Sequence, residues 1–211
     1  MSGHEFRDPH TPDDFGRFIK GWIRNPLAMG AFAPSGKSLA KLMARDIGPG
    51  SRVVELGAGT GTVTEALLAN GIAPEDLYVV EREHEFVRIL ERRFPQCRVI
   101  AADALHLNGE FATASFDFVV SGLPLLLFSS EQRHRVLQQA FRLLKPRGHF
   151  HQFTYGGVCP LDKDLRATFR VDSMLLGIAP LNLPPGFVYR LTRRAVAGVP
   201  ENGSAAARRS R

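Results

Sequence analysis

Short apolar runs and longer amphipathic segments alternate along most of this chain, between residues 52 and 194. Apolar runs of about four to eight residues bounded by turn residues predict buried strands, whereas apolar residues recurring about every three to four positions predict helices. Strands are predicted at residues 52–56, 77–81, 98–103, 116–121, 148–155 and 187–191. Helices are predicted at residues 62–70, 83–94 and 130–144, and residues 162–177 remain ambiguous. The alternation predicts an α/β fold, a parallel sheet with helices on both faces, whose ligands bind beyond the carboxyl ends of the strands.

The composition is that of a globular protein with a sizeable core. Of the 211 residues, 44% are hydrophobic and 23% are charged, which excludes a wholly disordered chain. The two cysteines, Cys97 and Cys159, fit neither a disulfide scaffold nor a cysteine-based zinc site, and they favour a reducing compartment. The first residues do not predict a signal peptide, and no apolar run approaches the roughly 18 residues of a transmembrane helix.

Positive charge is concentrated towards the two ends of the sequence. Residues 15–45 hold six Lys or Arg and no acid, residues 190–211 hold six Arg and one Glu, and residues 46–189 carry a net charge of −2. This distribution favours contact with a polyanion, either a membrane surface or a nucleic acid. The predicted organisation is an N-terminal amphipathic arm over residues 1–46, a folded domain over residues 47–195 and a disordered basic tail over residues 196–211.

The most informative motif is a glycine-rich turn between the first predicted strand and the first predicted helix. Gly57, Gly59 and Gly61 occupy alternate positions, so the backbone can turn sharply and approach a ligand closely. The helix that follows offers unpaired N–H groups to an anion. A dinucleotide-binding fingerprint would require glycine at position 62, where Thr62 stands. The Ser-Gly-Lys-Ser sequence at residues 35–38 is not a P-loop, because it lacks both the preceding strand and the glycine at position 31.

Acidic residues flank this turn and end the next predicted strand. Glu55 lies two positions before the first glycine, and Glu81 lies where a carboxylate can accept both hydroxyls of a ribose. The arrangement resembles motif I of the class I S-adenosylmethionine-dependent methyltransferases. The resemblance implies that S-adenosylmethionine is the cofactor and that the glycine turn holds its carboxypropyl group. It also implies a Rossmann-like, mostly parallel sheet of seven strands, the last one antiparallel.

The same resemblance assigns roles to the ends of two further strands. It implies that Asp103 and Ala104 contact the adenine, and that Ser121 and Gly122 line the path of the transferred methyl group. The predicted cofactor-binding residues are Glu55, Gly57, Ala58, Gly59, Thr60, Gly61, Thr62, Glu81, Arg82, Asp103, Ala104, Ser121 and Gly122.

Residues 15–24 have a helical pattern with an apolar side and a basic side, which predicts a membrane-binding arm. The apolar residues are Phe15, Phe18, Ile19, Trp22 and Ile23, and the basic residues are Arg17, Lys20 and Arg24. A helix of this length spans only about 15 Å, so it cannot cross a bilayer but can lie in the membrane interface. Packing of the apolar side on the protein's own sheet remains the alternative.

Several motifs taken together resemble the bacterial phospholipid N-methyltransferase family. Besides the arm and the glycine turn, they are Ala33-Pro34-Ser35, Ser121-Gly122-Leu123-Pro124, Gln152-Phe153-Thr154-Tyr155-Gly156 and Asn182-Leu183-Pro184-Pro185. The resemblance implies an enzyme that methylates the amine of phosphatidylethanolamine, and its mono- and dimethyl forms, toward phosphatidylcholine. It also implies a metal-free enzyme held peripherally on the anionic surface of the cytoplasmic membrane face, with no obligate protein partner.

Tyr155, which ends the fifth predicted strand, is the predicted catalytic residue. Its ring can hold a nitrogen that becomes cationic, and its hydroxyl can orient the amine. The amine must be neutral to attack, and burial in an apolar site lowers its pKa, so the sequence requires no separate base. Leu123 and Pro124 are predicted to bind the substrate, with Lys37 or Arg190 at the lipid phosphate.

Other functions stay open on the sequence alone. An rRNA adenine N-methyltransferase would explain the basic ends, but a flipped base needs an aromatic ring after Pro124. Three leucines occupy residues 125–127 and the first ring is Phe128, which disfavours a nucleic-acid substrate. A quinone or other small-molecule methyltransferase and a non-catalytic, membrane-binding cofactor sensor are further alternatives. His149 and His151 share one strand face, but no histidine spacing predicts a metal site.

Overall fold

The computed structural model of the chain describes residues 34–107, 109–155, 157–182 and 185–194. The predicted arm helix at residues 15–24 and the predicted tail at residues 196–211 lie outside these ranges. Within them, the chain forms one seven-stranded sheet with helices packed on both faces. This architecture confirms the α/β fold expected from the alternation of apolar and amphipathic segments.

The strands are β1 (Val53–Leu56), β2 (Leu77–Glu81), β3 (Arg98–Ala101), β4 (Phe116–Ser121), β5 (Leu144–Tyr155), β6 (Val171–Ala179) and β7 (Gly186–Arg193). They lie in the order β3-β2-β1-β4-β5-β7-β6. Strand β7 runs antiparallel to both of its neighbours, and the other six strands share one direction. The strand order reverses between β1 and β4, where sheets of this kind bind ligands at the carboxyl ends of the strands.

The helices of the described part are α1 (Pro34–Met43), α2 (Thr62–Ala69), α3 (His84–Arg93), α4 (Ser130–Leu143) and α5 (Lys163–Thr168). Short 3₁₀ turns span Pro74–Asp76 and Leu125–Leu127. Helices α1, α2 and α3 bury apolar side chains against one face of the sheet, and α4 and α5 against the other. The β1 strand between these layers is buried along its whole length, so its carboxyl end is a rigid base for the glycine turn.

Helix α1 belongs to the folded body, although the sequence pattern placed it in the arm of residues 1–46. Its residues Leu39 and Met43 are buried in the core beneath the sheet, and Ile47 follows them there. The Arg45 side chain donates a hydrogen bond to the Leu176 carbonyl of β6 at 2.8 Å. The sequence did not show which surface covers the apolar side of this segment.

Several element boundaries differ from the predicted ones for local reasons. Strand β3 ends at Ala101 rather than at residue 103, because the Asp103 side chain accepts a hydrogen bond from the Leu105 N–H and starts a turn. Strand β5 begins at Leu144, four residues earlier than predicted, across an irregular register with β4. The ambiguous segment 162–177 forms α5 and most of β6. Ser129 caps α4 through a reciprocal pair of hydrogen bonds with Gln132.

Candidate active site

The glycine turn connects β1 to α2 with its three glycines in the left-handed region of φ. The φ angles of Gly57, Gly59 and Gly61 are 72°, 57° and 84°, values that other residues rarely adopt. A Cβ at Gly57 would lie 2.6 Å from Leu123 Cδ2, whereas a Cβ at Gly59 would meet nothing within 4 Å. The turn is therefore packed against Leu123 at Gly57, while Gly59 faces open space that a ligand can fill.

Glu55 supports the turn from below rather than facing that open space. Its carboxylate is only 1% exposed and accepts a hydrogen bond from the Thr64 hydroxyl of α2 at 2.6 Å. Burial raises the pKa of Glu55 to about 7, against the lowering effect of the Thr64 hydrogen bond. Glu55 was predicted to bind the cofactor. In the structure, its hydrogen bond with Thr64 joins the end of β1 to the first turn of α2.

Glu81, at the end of β2, is the carboxylate that the turn faces. Its Oε2 accepts a hydrogen bond from the Gly59 N–H at 2.8 Å, and its Oε1 accepts the N–H groups of Arg82 at 2.7 Å and Glu83 at 2.9 Å. A carboxylate has about four acceptor positions, so one remains on Oε2. The conformation thus has room for one ribose hydroxyl at Glu81, where the sequence predicted two.

The end of β3 brings a second carboxylate to the same edge of the sheet. Asp103 is partly exposed, and its Oδ2 lies 3.8 Å from Arg82 Nη1. Arg82 is itself exposed and pairs more closely with Glu83, at 2.9 Å. Ala104 is 6% exposed and joins the core. The position of Asp103 is compatible with the predicted adenine contact, and Arg82 lies at the outer rim of this region.

The segment after β4 is tied directly to the glycine turn. The Gly122 N–H donates to the Leu56 carbonyl at 2.8 Å, and a Cβ at Gly122 would lie 2.5 Å from the Gly57 oxygen. The Leu123 N–H donates to the hydroxyl of buried Ser121 at 3.3 Å. Because the Gly122 N–H bonds to β1 and a side chain at position 122 would collide with the Gly57 oxygen, the segment after β4 packs directly on the glycine turn.

Gln152 on β5 completes this connection and was not predicted as a site residue, although its motif was noted. It is fully buried, and its Nε2 donates to the carbonyls of Leu123 at 2.8 Å and Phe153 at 2.7 Å. Its Oε1 is buried and has no hydrogen-bond partner in the structure as described. Its neighbours in β5 include His151 and Thr154 as well as aromatic residues, so the residue types of this strand did not indicate such a role.

An apolar pocket opens directly beyond Leu123. It contains about 270 Å³ of space that is partly open to solvent. The lining residues are Pro124, Leu125, Leu126, Leu127, Phe153, Thr154 and Tyr155. The predicted leucine wall and the predicted catalytic tyrosine therefore line one pocket, next to the glycine turn.

Tyr155 is 8% exposed and contacts the Phe153 ring edge-on, with 5.3 Å between the ring centroids. Burial raises the pKa of its hydroxyl to about 12, although a hydrogen bond with the Asn182 side chain lowers it. The hydroxyl is therefore protonated at neutral pH, so it can orient an amine but cannot act as a base.

The two cations predicted at a lipid phosphate do not line this pocket. Arg190 lies on β7 and forms an ion pair with Asp46 at 3.6 Å, beside the end of α1. Lys37 is exposed in the first turns of α1. The ion pair holds Arg190 beside the end of α1, and the predicted contact of Arg190 or Lys37 with a lipid phosphate stays a prediction.

The paired histidines of β5 contact two different elements, α1 and β7. The Nδ1 atom of His151 lies 2.9 Å from the Met43 carbonyl, and that of His149 lies 2.8 Å from the Thr192 hydroxyl oxygen. Burial lowers the pKa of His151 to about 4, so its ring is neutral. The described residues contain no cluster of His, Cys, Asp or Glu suited to a metal, and none of their helices has the length and apolar character of a membrane span.

Comparisons with known proteins bear on this geometry. Residues 53–148 match a family model described as a methyltransferase domain. The chain is also 32% identical, over 186 residues, to an ornithine lipid N-methyltransferase from Singulisphaera acidiphila, an alignment that covers 83% of this chain and 94% of that protein. The chain belongs to the class I S-adenosylmethionine-dependent methyltransferases. This methyltransferase uses S-adenosylmethionine as its cofactor, and the open space over Gly59 beside the Glu81 carboxylate fits that ligand.

Two further comparisons show a shared fold and a partial sequence match. The fold is shared with a Burkholderia thailandensis 1,6-didemethyltoxoflavin-N1-methyltransferase solved with S-adenosylhomocysteine, at a TM-score of 0.61 and 18% identity, covering 90% of this chain and 93% of that one. A probable ribosomal RNA small subunit methyltransferase A from Methanosarcina barkeri is 36% identical over 103 residues. That match covers 47% of this chain and 33% of the archaeal protein, so it does not extend over the whole methyltransferase.

Proposed function

We propose that this methyltransferase transfers methyl groups to the primary amine of a membrane lipid. The observation that carries the proposal is the apolar pocket that begins at Pro124, one residue after the Leu123 side chain that packs on Gly57. A pocket wall of consecutive leucines suits a lipid better than a polar or charged acceptor. The Singulisphaera relative, which is named for N-methylation of a lipid, supports the same class of substrate.

The chemistry that the pocket favours is attack by a neutral amine. When bound, the cofactor supplies an electrophilic methyl group on a sulfonium. Removing an ammonium from water lowers its pKa, so apolar residues such as Leu127 and Phe153 favour the deprotonated, nucleophilic form. The nitrogen gains positive charge as the new bond forms, and the Tyr155 ring can stabilise that charge through its π-face. The Tyr155 hydroxyl can fix the direction of the nitrogen lone pair.

Two lipids are candidates within this class. Phosphatidylethanolamine is the lipid that the sequence resemblance implies, with successive products toward phosphatidylcholine. Ornithine lipid is a second candidate, because the relative that aligns with 83% of this chain is named for it. Both carry a primary ammonium on a short aliphatic spacer together with acyl chains. Since Arg190 is paired with Asp46, the described pocket does not favour the lipid with a phosphate over the other.

A membrane-facing orientation follows from this proposal. Three apolar side chains near the pocket are exposed, which we call the apolar rim: Leu126 (42%), Val158 (67%) and Leu181 (76%). They follow the carboxyl ends of β4, β5 and β6, the edge at which the pocket opens. Burying a large apolar side chain contributes roughly 1.5–3 kcal/mol, so the rim and the arm of residues 15–24 together could hold the enzyme reversibly on the cytoplasmic membrane face.

The direct test is a methyl-transfer assay with competing acceptors. The protein is incubated with radiolabelled S-adenosylmethionine and, in separate reactions, with anionic vesicles containing phosphatidylethanolamine, the same vesicles containing ornithine lipid, or total RNA. We expect label in at least one aminolipid and none in RNA. Label confined to RNA would replace the proposal with the nucleic-acid alternative.

The arm allows an independent test of the membrane orientation. Trp22 is the single tryptophan of the chain, so its fluorescence reports on the arm alone. We expect a blue shift when anionic vesicles are added, because the indole enters an apolar environment, and a smaller shift at high salt, because the arm's cations are screened. Trp22 emission that is unchanged by vesicles would contradict membrane binding through the arm.

A further inference from the structure

Asn182 is a buried amide beside the predicted catalytic tyrosine. It lies in the connection between β6 and β7, is 8% exposed, and donates its backbone N–H to the Ala179 carbonyl at 3.3 Å. Its side chain forms a hydrogen bond with Tyr155. Its Oδ1 is buried and has no hydrogen-bond partner within the described ranges. A buried acceptor without a hydrogen-bond partner destabilises a folded protein, so the presence of Asn182 at this position calls for an explanation.

The orientation of the amide follows from its two ends. Oδ1 has no hydrogen-bond partner among the described residues, so the end of the amide that contacts Tyr155 is Nδ2. Only Nδ2 of the Asn182 amide can donate. Oδ1 is therefore the atom that remains available, on the same amide group as the nitrogen that contacts the Tyr155 hydroxyl.

The backbone of β7 makes room for this amide. Gly186 pairs with Tyr155 in the antiparallel register of β5 and β7. A Cβ at Gly186 would lie 3.7 Å from Asn182 Nδ2 and 3.0 Å from Leu39 Cδ1. Any larger residue at this position would crowd the side chains on both sides, so the glycine allows the amide to reach Tyr155 at the end of the pocket.

From this arrangement we infer that Asn182 determines how the enzyme distinguishes amines by their degree of methylation. The inference rests on the proposed lipid amine substrate. An amine that reaches the Tyr155 hydroxyl can donate an N–H to the neighbouring Oδ1 of Asn182. Each transfer replaces one N–H bond with an N–C bond and releases one proton, so a quaternary product has no N–H left to donate. The hydrogen bond therefore favours the binding of unmethylated amine and is lost when methylation is complete.

The burial of the Asn182 acceptor makes this discrimination effective. A site with a buried acceptor binds a partner that lacks the matching donor poorly, because the acceptor stays unpaired in the complex. Asn182 is 8% exposed, and Leu39, which approaches the same Gly186, belongs to one core cluster with Phe153 and Tyr155. Water is thus a poor substitute for the substrate N–H at this position.

The test compares the wild-type enzyme with Asn182→Leu on vesicles that contain the unmethylated, monomethylated or dimethylated form of the accepted aminolipid. Leucine has a similar volume but no acceptor. We expect kcat/KM for the unmethylated lipid to fall about tenfold or more, and for the dimethylated lipid to fall less than about threefold, because its neutral, reactive form has no N–H. An equal loss on all three lipids would overturn the inference and leave only a structural role.

A second variant separates the acceptor oxygen from the tyrosine contact. Asn182→Asp keeps an acceptor and loses the Nδ2 donor to Tyr155. We expect it to retain the preference for the unmethylated lipid and to be inhibited by the quaternary product at about tenfold lower concentration, because a carboxylate attracts that cation. An Asn182→Asp enzyme that resembles Asn182→Leu in both respects would contradict the inference.

Two controls make the outcomes distinguishable. Calorimetric affinity for S-adenosylhomocysteine should be close to wild type in both variants, since Asn182 does not contact the glycine turn, and thermal unfolding should show that both variants are folded at the assay temperature. If the wild-type enzyme methylates no aminolipid, the proposed function fails and the inference fails with it. If wild type is active and the variants do not discriminate among methylation states, the inference alone is overturned.

Discussion

The two halves of the sheet differ in whether their buried side-chain oxygens have hydrogen-bond partners. In the cofactor half, β1 to β3, the carboxylate of Glu55 accepts the Thr64 hydroxyl and that of Glu81 accepts three backbone N–H groups. In the substrate half, β4 to β7, the side-chain oxygens of Gln152 and Asn182 are buried without a partner among the described residues. In the cofactor half the protein's own groups occupy most acceptor positions, whereas the described part of the substrate half keeps side-chain oxygens with no partner, which a ligand can satisfy.

This difference reflects what each half must recognise. A single cofactor can be held by a preformed turn whose geometry is fixed by the protein's own hydrogen bonds. A substrate that changes its number of N–H bonds during successive reactions is better distinguished by acceptors that are satisfied only in the correct complex. Mutations in the two halves should therefore affect different measurements: cofactor affinity in one half, and turnover and substrate choice in the other.

The largest effect is expected in the cofactor half. Replacing Glu81 with Ala removes the acceptor for one ribose hydroxyl and the carboxylate that holds the Gly59 N–H, and we expect the affinity for S-adenosylmethionine to fall about 100-fold, since a hydrogen bond to a charged group contributes about 1.5–3 kcal/mol. Isothermal titration calorimetry measures this directly. Glu81→Gln, which keeps one acceptor oxygen, should show an intermediate loss. Wild-type affinity in Glu81→Ala would contradict the assignment of this edge to the cofactor.

Tyr155 provides the matching test in the substrate half. We expect kcat/KM to fall about 50-fold in Tyr155→Ala, which loses the ring and the hydroxyl, and about fivefold in Tyr155→Phe, which loses only the hydroxyl. Cofactor affinity should be unchanged in both variants. Equal turnover of the two variants would remove the ring from the mechanism.

The contrast between the halves also explains what the sequence predicts well. The ends of β2 and β4 were predicted at Glu81 and Ser121 because each residue follows an apolar run, and the glycine turn was recognisable because its requirements are local. Contacts that depend on the return of β7 between β5 and β6 were not predictable in the same way. The bond between Tyr155 and Asn182 and the ion pair of Arg190 with Asp46 both arise from that return.

The role of α1 illustrates a second limit. The apolar pattern around Leu39 and Met43 indicates an amphipathic helix, but the same pattern suits a membrane, a partner or the protein's own sheet. The structure shows that it packs on the sheet. The same question for the arm at residues 15–24 remains a prediction, and the Trp22 measurement addresses it.

The last expected effect concerns stability rather than activity, and it is the pH dependence of unfolding in the cofactor half. The pKa of Glu55 is about 7 in the folded protein, above the value of 4.5 expected in the unfolded chain. Between these values the folded state holds the proton and the unfolded state does not, so the free energy of unfolding decreases as the pH rises through this range. Glu55→Gln cannot ionise and keeps an acceptor for Thr64.

We therefore expect Glu55→Gln to be more stable than wild type by about 3 kcal/mol near pH 8 and equal to it near pH 4. Urea unfolding of the cofactor-free protein at both pH values checks this. A constant difference between variant and wild type across the range would show that Glu55 does not titrate as described.

The central claim is that the pocket beside the glycine turn accepts a lipid amine. Its most direct test is mass spectrometry of vesicle lipids after incubation of the full-length protein with S-adenosylmethionine, using vesicles that contain phosphatidylethanolamine, ornithine lipid and a non-amine lipid together. The account predicts that one aminolipid gains methyl groups in place of N–H hydrogens while the non-amine lipid is unchanged. Aminolipids that remain unmodified, with cofactor binding verified in the same preparation, would contradict it.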